Sequence, residues 1–226
     1  MGLWQLRRAA EKEAVATDIL KQKNLPTIDN SALLATKNIA DLVHRQASLR
    51  GQWLAGQTVF LDNRAMDGLA GFYVVTPLKL SPQGPVLVVQ RGWVPRDPVE
   101  RTRLPVIDSP AGTVTVAGLI ALPPSRLYEP PGLSGRQTAG SDPIRQNLDL
   151  VEVSRASGLP VLAASLQLTA GDGDGMVRHW PAANLGAERN YGYAAQWFAM
   201  FALVIGLYFW FQWIAPYARS RSANRS

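Results

Sequence analysis

The stretch FYVVTPLKLSPQGPVLVVQRGWVP, residues 72–95, decides the fold class of this chain. Two runs rich in β-branched and aromatic residues, Phe72 to Thr76 and Pro85 to Val89, flank the turn signal Ser81-Pro82-Gln83-Gly84. Side chains of that kind suit a pleated, half-buried surface, and the turn residues separate two strands. The first strand is expected to end at Pro77, which has no N–H to give to a ladder.

Reading outward, Thr58 to Leu61 is a further strand candidate. Gly112 to Ala117 alternates Thr and Val with the period of a strand. Val161 to Leu168 reads as the last strand, and Asp62-Asn63 and Pro110-Ala111-Gly112 as turns. Short strands at this spacing predict a small antiparallel β-sheet or barrel. Residues 2 to 22 read as a helix, with Trp4, Arg8 and Lys12 on one face and Pro26 beyond its cationic end. Asn30 or Ser31 caps a second short helix through about Leu42, and Leu148 to Ala156 forms a third. Pro123 to Pro143 is a Pro-, Gly- and Ser-rich loop. The fold class is α+β.

A different texture closes the chain. No charged residue lies between Arg189 and Arg219, and the centre of that run is WFAMFALVIGLYFWFQWIA, residues 197–215. A bilayer core is crossed by roughly 20 mostly apolar helical residues. Tyr191, Tyr193 and Trp197 lie at one end of the run and Trp210, Trp213 and Tyr217 at the other, as paired aromatic belts do. A soluble core helix is the alternative, and such helices rarely stay apolar all round for this length. The tail carries Arg219, Arg221 and Arg225 and no acid, which points it to the cytoplasm. The expected organisation is an N-terminal helix over 1–23, an extracytoplasmic β-rich domain over 24–189, a transmembrane helix over 190–217 and a cytoplasmic basic tail over 218–226. In a bacterium this places the protein in the inner membrane with its main domain in the periplasm.

Composition narrows the chemistry. The chain has 226 residues and a net charge of +6, which favours anionic partners such as the headgroups of a lipid bilayer. No basic run is interleaved with aromatics, so no nucleic-acid partner is indicated. With 0 Cys there is no disulfide framework and no thiolate metal site. Asp172 and Asp174 in GDGDG begin like a calcium loop, but the position that needs a Glu is Ala183, so the stretch reads as a hairpin turn. His44 reads as a half-exposed polar residue at a strand edge. His179, just before the apolar run, is better placed to be a ligand but has no second ligand at metal spacing. No phosphate loop and no nucleophile elbow occurs. Trp93, between Gly92 and Val94, reads as a cap on the core. Tyr193, Gln196, Trp197 and Met200 form one stripe at the start of the membrane helix, where Gln196 should find a hydrogen-bond partner.

Three ordered stretches, GLWQLRRAAEK at the start, VLVVQRGWVP in the middle and YGYAAQWF at the entry to the last helix, together resemble the surfeit locus protein one family of cytochrome c oxidase assembly factors. The segments GFYVVTPL and TVTVAGLI also look like family segments, so the resemblance covers essentially the whole chain. It implies a protein that is not an enzyme and that matures subunit one of the oxidase alongside other assembly factors, during insertion of a transiently held haem a. Carried over, the motif and partner-binding residues are Gly2, Trp4, Gln5, Arg8 and Lys12, then Arg91, Gly92, Trp93, Val94 and Pro95. Those near a haem are Tyr193, Gln196 and Trp197, with His179 as the nearby imidazole. The family has a His three residues before the Tyr of the last motif. Here that position is Asn190, whose amide does not replace imidazole on iron. The family also has a first membrane helix, so residues 1–23 are expected to continue from one, and Trp4-Gln5 to meet Gln196-Trp197 at one membrane surface. A haem-independent scaffold for respiratory complex assembly is the alternative function. A membrane-tethered enzyme comes third, because no nucleophile, base and orienter stand out as a set.

Overall fold

The computed structural model describes residues 1–100, 102–128, 143–171, 174–180 and 186–214. In chain order its elements are α1 (Gly2–Asn24), α2 (Asn30–Ala35), β1 (Gln46–Trp53), β2 (Val59–Met66), β3 (Leu69–Lys79), β4 (Val86–Pro95), β5 (Thr113–Ala121), β6 (Ile144–Arg145), α3 (Leu150–Ser157), β7 (Val161–Leu168) and α4 (Glu188–Phe209). They form two compact units, one from the two ends of the chain and one from Leu20–Pro181. The expected α+β class holds: a helix at each end and a β-sheet between them.

The sheet runs β1-β5-β7-β4-β3-β2-β6, and β1 also pairs with β3. That extra pairing, Gln52↔Lys79 and Trp53↔Leu78, closes β1, β5, β7, β4 and β3 into a small barrel from which β2 and β6 extend. Closure draws backbones together at Gly51, where a Cβ would lie 2.6 Å from the Lys79 carbonyl oxygen. The sheet is mixed rather than purely antiparallel, since β2–β6 and β4–β7 run parallel. A parallel partner is reached only by a long connection, and β6 and β7 both lie far along the chain from the strands they join.

Pro77 does not end β3, which continues to Lys79. Val75 is the last β3 residue paired with β2, and Leu78 the first paired with β1. The Pro77 carbonyl accepts from Leu54 N–H at 2.9 Å. In a strand the N and O of one residue face the same side, so the missing N–H falls in the gap between two partner strands. Likewise Gln90 to Pro95, which follow the apolar run, belong to β4. Val74 pairs with Gly92 and Val75 with Gln90, leaving Arg91 as the extra residue of a β-bulge. The bulge resets the alternation, so Val94 packs with Phe72, Val74 and Phe60.

The barrel core is built from Leu49, Leu78, Leu87, Val89, Val116, Ile120 and Leu166, with Ile28, Leu33 and Leu42 packed on it. A second cluster, Leu61, Val75 and Val88, is covered by Leu148 and Leu150 beside α3. Asp149 caps α3 and Gly158 ends it in the left-handed region at φ 69°. The helix expected to run to Leu42 stops at Ala35; Thr36 turns extended, and a 3-10 turn, Ile39–Leu42, restarts from an Asn38 cap. At the chain end, Glu188–Trp213 is one helix long and apolar enough to cross a membrane. Asp172, most of the Pro123–Pro143 loop and the basic tail lie outside the described residues.

Candidate functional site

The central motif is built into the barrel wall. Arg91 is 6% exposed and Trp93 3%. Trp93 pairs through its backbone with Val177 in both directions, at 2.7 and 2.8 Å, and its indole N–H donates to the Arg64 carbonyl at 2.9 Å. The Arg91 guanidinium donates to Ser109 Oγ and to the Asp108 carbonyl, each at 2.6 Å, and lies over the Trp53 ring at 4.7 Å. Burial holds its pKa below the ordinary guanidinium value. Gly92 is tied to the same strap of chain, because a Cβ there would meet Met176 Cβ at 2.6 Å. Arg178 completes the strap: Nε donates to the Arg91 carbonyl at 2.8 Å, and the rest of its guanidinium pairs with Asp174. Asp174 also accepts from Met176 N–H at 3.1 Å. Burial would raise the Asp174 pKa, but the Arg178 and Met176 hydrogen bonds and the nearby cations outweigh it, and the net shift is downward. Pro95 is exposed and closes β4 opposite Gly71.

The first and last motifs meet in the other unit. A face of α1 made by Gly2, Gln5, Leu6, Ala9 and Lys12 is at least half-buried, at helical spacing, while Trp4 and Arg8 point outward. Lys12 therefore does not share the outward face of Trp4 and Arg8; Arg8 pairs with Glu11 instead. Lys12 Nζ donates to Asn190 Oδ1 at 2.8 Å and to the Gly186 carbonyl at 3.3 Å. Asn190 Nδ2 donates to Gln5 Oε1 at 2.8 Å, and Tyr191 Oη to Glu13 Oε1 at 3.0 Å. Further along, a Cβ on Gly2 would lie 2.9 Å from the Phe198 ring. The contacts run in opposite directions along the two helices, so the pair is antiparallel. Tyr193, Gln196 and Trp197 are exposed on α4, and the Gln196 side chain has no hydrogen bond among the described residues.

His179 sits at the end of the strap, exposed, with Nδ1 2.8 Å from Asp67 Oδ2. Asp67 occupies a β2–β3 turn at φ 50°, followed by Gly68. An Asp-Gly pair between two strands is a hairpin signal, and it was the available pointer to this partner. Arg64, Asp67, Asp174 and Arg178 are among the site residues that the motifs do not contain. His44 lies at φ 72° before β1, half-buried. Among the described residues no group of His, Cys, Asp and Glu is arranged to hold a metal ion.

The donor chemistry bears on haem. Both ends of the Asn190 amide are taken by Lys12 and Gln5, and the helix pair offers no imidazole among its described residues. The helix pair does not fit an iron ligand at that position. His179 has the carboxylate-oriented imidazole found in many ligand histidines, with Nε2 outside that contact.

Residues 1–202 match the SURF1 family. The SURF1-like protein of Drosophila melanogaster is 28% identical over 122 residues, covering 47% of this chain and 40% of that protein. That of Dictyostelium discoideum is 30% identical over 113 residues, covering 46% and 41%. That of Rickettsia bellii is 28% identical over 95 residues, covering 41% and 37%. The chain thus spans about two fifths of the length of the curated relatives it matches.

Proposed function

The chain belongs to the SURF1 family, and from that premise we propose that it is a membrane-anchored assembly factor for cytochrome c oxidase. It acts on subunit one, with other assembly factors, during insertion of haem a. The observation that carries this reading is the family match over residues 1–202, which takes in all three motifs. The apolar helix Glu188–Trp213 supports a membrane anchor. The anchor holds the barrel on the periplasmic side of a bacterial inner membrane, with the basic tail in the cytoplasm.

In this reading the protein holds and presents rather than turning over a substrate. Haem a is cargo. His179, oriented by Asp67, is the residue that would touch its iron. Separately, on the helix pair, Trp4, Trp197 and Tyr193 offer exposed aromatic surface to lipid. A second reading, a haem-independent scaffold, is favoured by the engaged Asn190 amide.

The test is a deletion strain complemented in turn by the wild-type gene and by His179→Ala. Deletion is expected to lower haem a content and oxidase activity together. Normal haem a and normal activity in the deletion strain would overturn the assembly reading. Full rescue by His179→Ala would favour the scaffold.

A further inference from the structure

We infer that Lys12, Asn190 and Gln5 form a polar clasp that sets the register of α1 against α4, and that this clasp excludes iron ligation at Asn190. The inference goes beyond the oxidase reading and does not depend on it.

The packed face of the pair is made mainly of small residues, with the Phe198 ring seated over Gly2. Its buried residues are Gly2 and Ala9 on α1, Ala194 on α4 and Ala187 just before α4. Small residues let helices approach closely but bring no directional contact of their own. Polar side chains supply what is missing, as a single buried polar residue does in a coiled coil. Gln5 and Lys12 are two helical turns apart on one face, and Asn190 reaches both. The order is directional: the Lys12 ammonium donates to the amide oxygen, and the amide N–H donates to Gln5. Sliding by one turn would break both bonds and leave three half-buried polar groups without these partners, each loss carrying a cost. Tyr191 and Glu13 make a second link in the same register.

The same contacts oppose iron. To ligate, Asn190 would have to release Lys12 or Gln5. The ammonium 2.8 Å from its oxygen would then sit beside an iron cation. A cationic neighbour with no carboxylate bonded to it among the described residues makes a poor iron pocket.

Because the chain has 0 Cys, the register can be read by engineered pairs in the full-length protein in nanodiscs. Gly2→Cys/Phe198→Cys reports the native register with a short bismaleimide, and Gly2→Cys/Ala202→Cys a slip of one turn. Adding Asn190→Ala or Lys12→Met is expected to cut the first crosslink about fivefold and raise the second. Adding Asn190→Asp is expected to keep the first, since a carboxylate still accepts from Lys12. If Asn190→Ala does not accumulate, Lys12→Met carries the same measurement. Unchanged crosslinks in both would overturn the clasp. Hemin titration is expected to give the same spectrum for wild type and Asn190→Ala. A low-spin Soret complex lost in Asn190→Ala but kept in His179→Ala would overturn the exclusion of iron. Neither readout depends on oxidase activity, so failure here is separable from failure of the assembly reading.

Discussion

The indole N–H of Trp93 donates to the backbone carbonyl of Arg64 across 2.9 Å, tying the strand after the Arg91 bulge to β2. Trp93 is 3% exposed, and its ring lies across Gly71, where a Cβ would meet the indole at 2.5 Å. The residue is therefore expected to act on stability first. Trp93→Phe keeps a buried ring but leaves a carbonyl unpaired and should cost about 1 to 3 kcal/mol. Trp93→Ala adds a cavity and should cost about 3 to 5 kcal/mol. Urea unfolding of the purified protein measures both: wild-type stability in Trp93→Phe would show that the hydrogen bond fills no structural need, and Trp93→Ala no less stable than Trp93→Phe would show the same of the ring.

Gly92 sets the distance between β4 and the strap at Met176. Gly92→Ala would place a methyl group 2.6 Å from Met176 Cβ, an atom fixed to the backbone rather than the far end of a flexible side chain. The strap must then lift. The expected cost is about 1 to 3 kcal/mol, as for other overpacked sites. The more specific readout is limited trypsin digestion: cleavage after Arg178 should accelerate while cleavage after Arg50, inside β1, should not.

The strap should also answer to acid. Asp174 has a lowered native pKa, held down against burial by Arg178 and Met176. A carboxylate of this kind binds more protons unfolded than folded, so stability rises with pH through its titration range. Its contribution is complete above the ordinary Asp pKa of about 3.9 and is lost as pH falls through the lower native value. Asp174→Asn should flatten the acid side of the melting-temperature profile and leave the neutral side parallel to wild type. A wild-type profile in the variant would mean that the Arg178 pair contributes nothing.

What the sequence discloses and withholds follows from local signal. Phe72 to Val75 and Val86 to Val89 announce themselves because their apolar runs are dense, and α4 because nothing charged interrupts it. β1 is hard to read: QASLRGQW buries Ala47, Leu49 and Gly51, and two small residues make a faint alternation. Gly51 looks like a strand breaker and is present because the barrel closes there. The bulge at Arg91 is a tertiary event, set by pairing with Val74 and Val75, and leaves no local mark. At the sites, Gln5 and Lys12 are legible as motif residues. The family resemblance leads to the expectation that the two ends meet, with Trp4-Gln5 on Gln196-Trp197; that Gln5 and Lys12 converge on Asn190 instead is a matter of helix register, which no periodicity encodes.

Orientation in the membrane can be tested with the same freedom from native cysteine. Val106 is 99% exposed in the long segment between β4 and β5, so Val106→Cys should label without disturbing the barrel. Ser226→Cys marks the basic tail. With the barrel outside and the tail inside, a membrane-impermeant maleimide added to intact spheroplasts should react with Val106→Cys at once and with Ser226→Cys only after lysis. The reverse pattern would invert the orientation. Reaction of both in intact spheroplasts would mean that Glu188–Trp213 does not cross the bilayer, and the anchor would have to be sought elsewhere. The arginines are the cause being tested: if the cationic bias of the tail sets the orientation, changing Arg219, Arg221 and Arg225 together to Gln should lower the fraction of chains that insert with the tail inside.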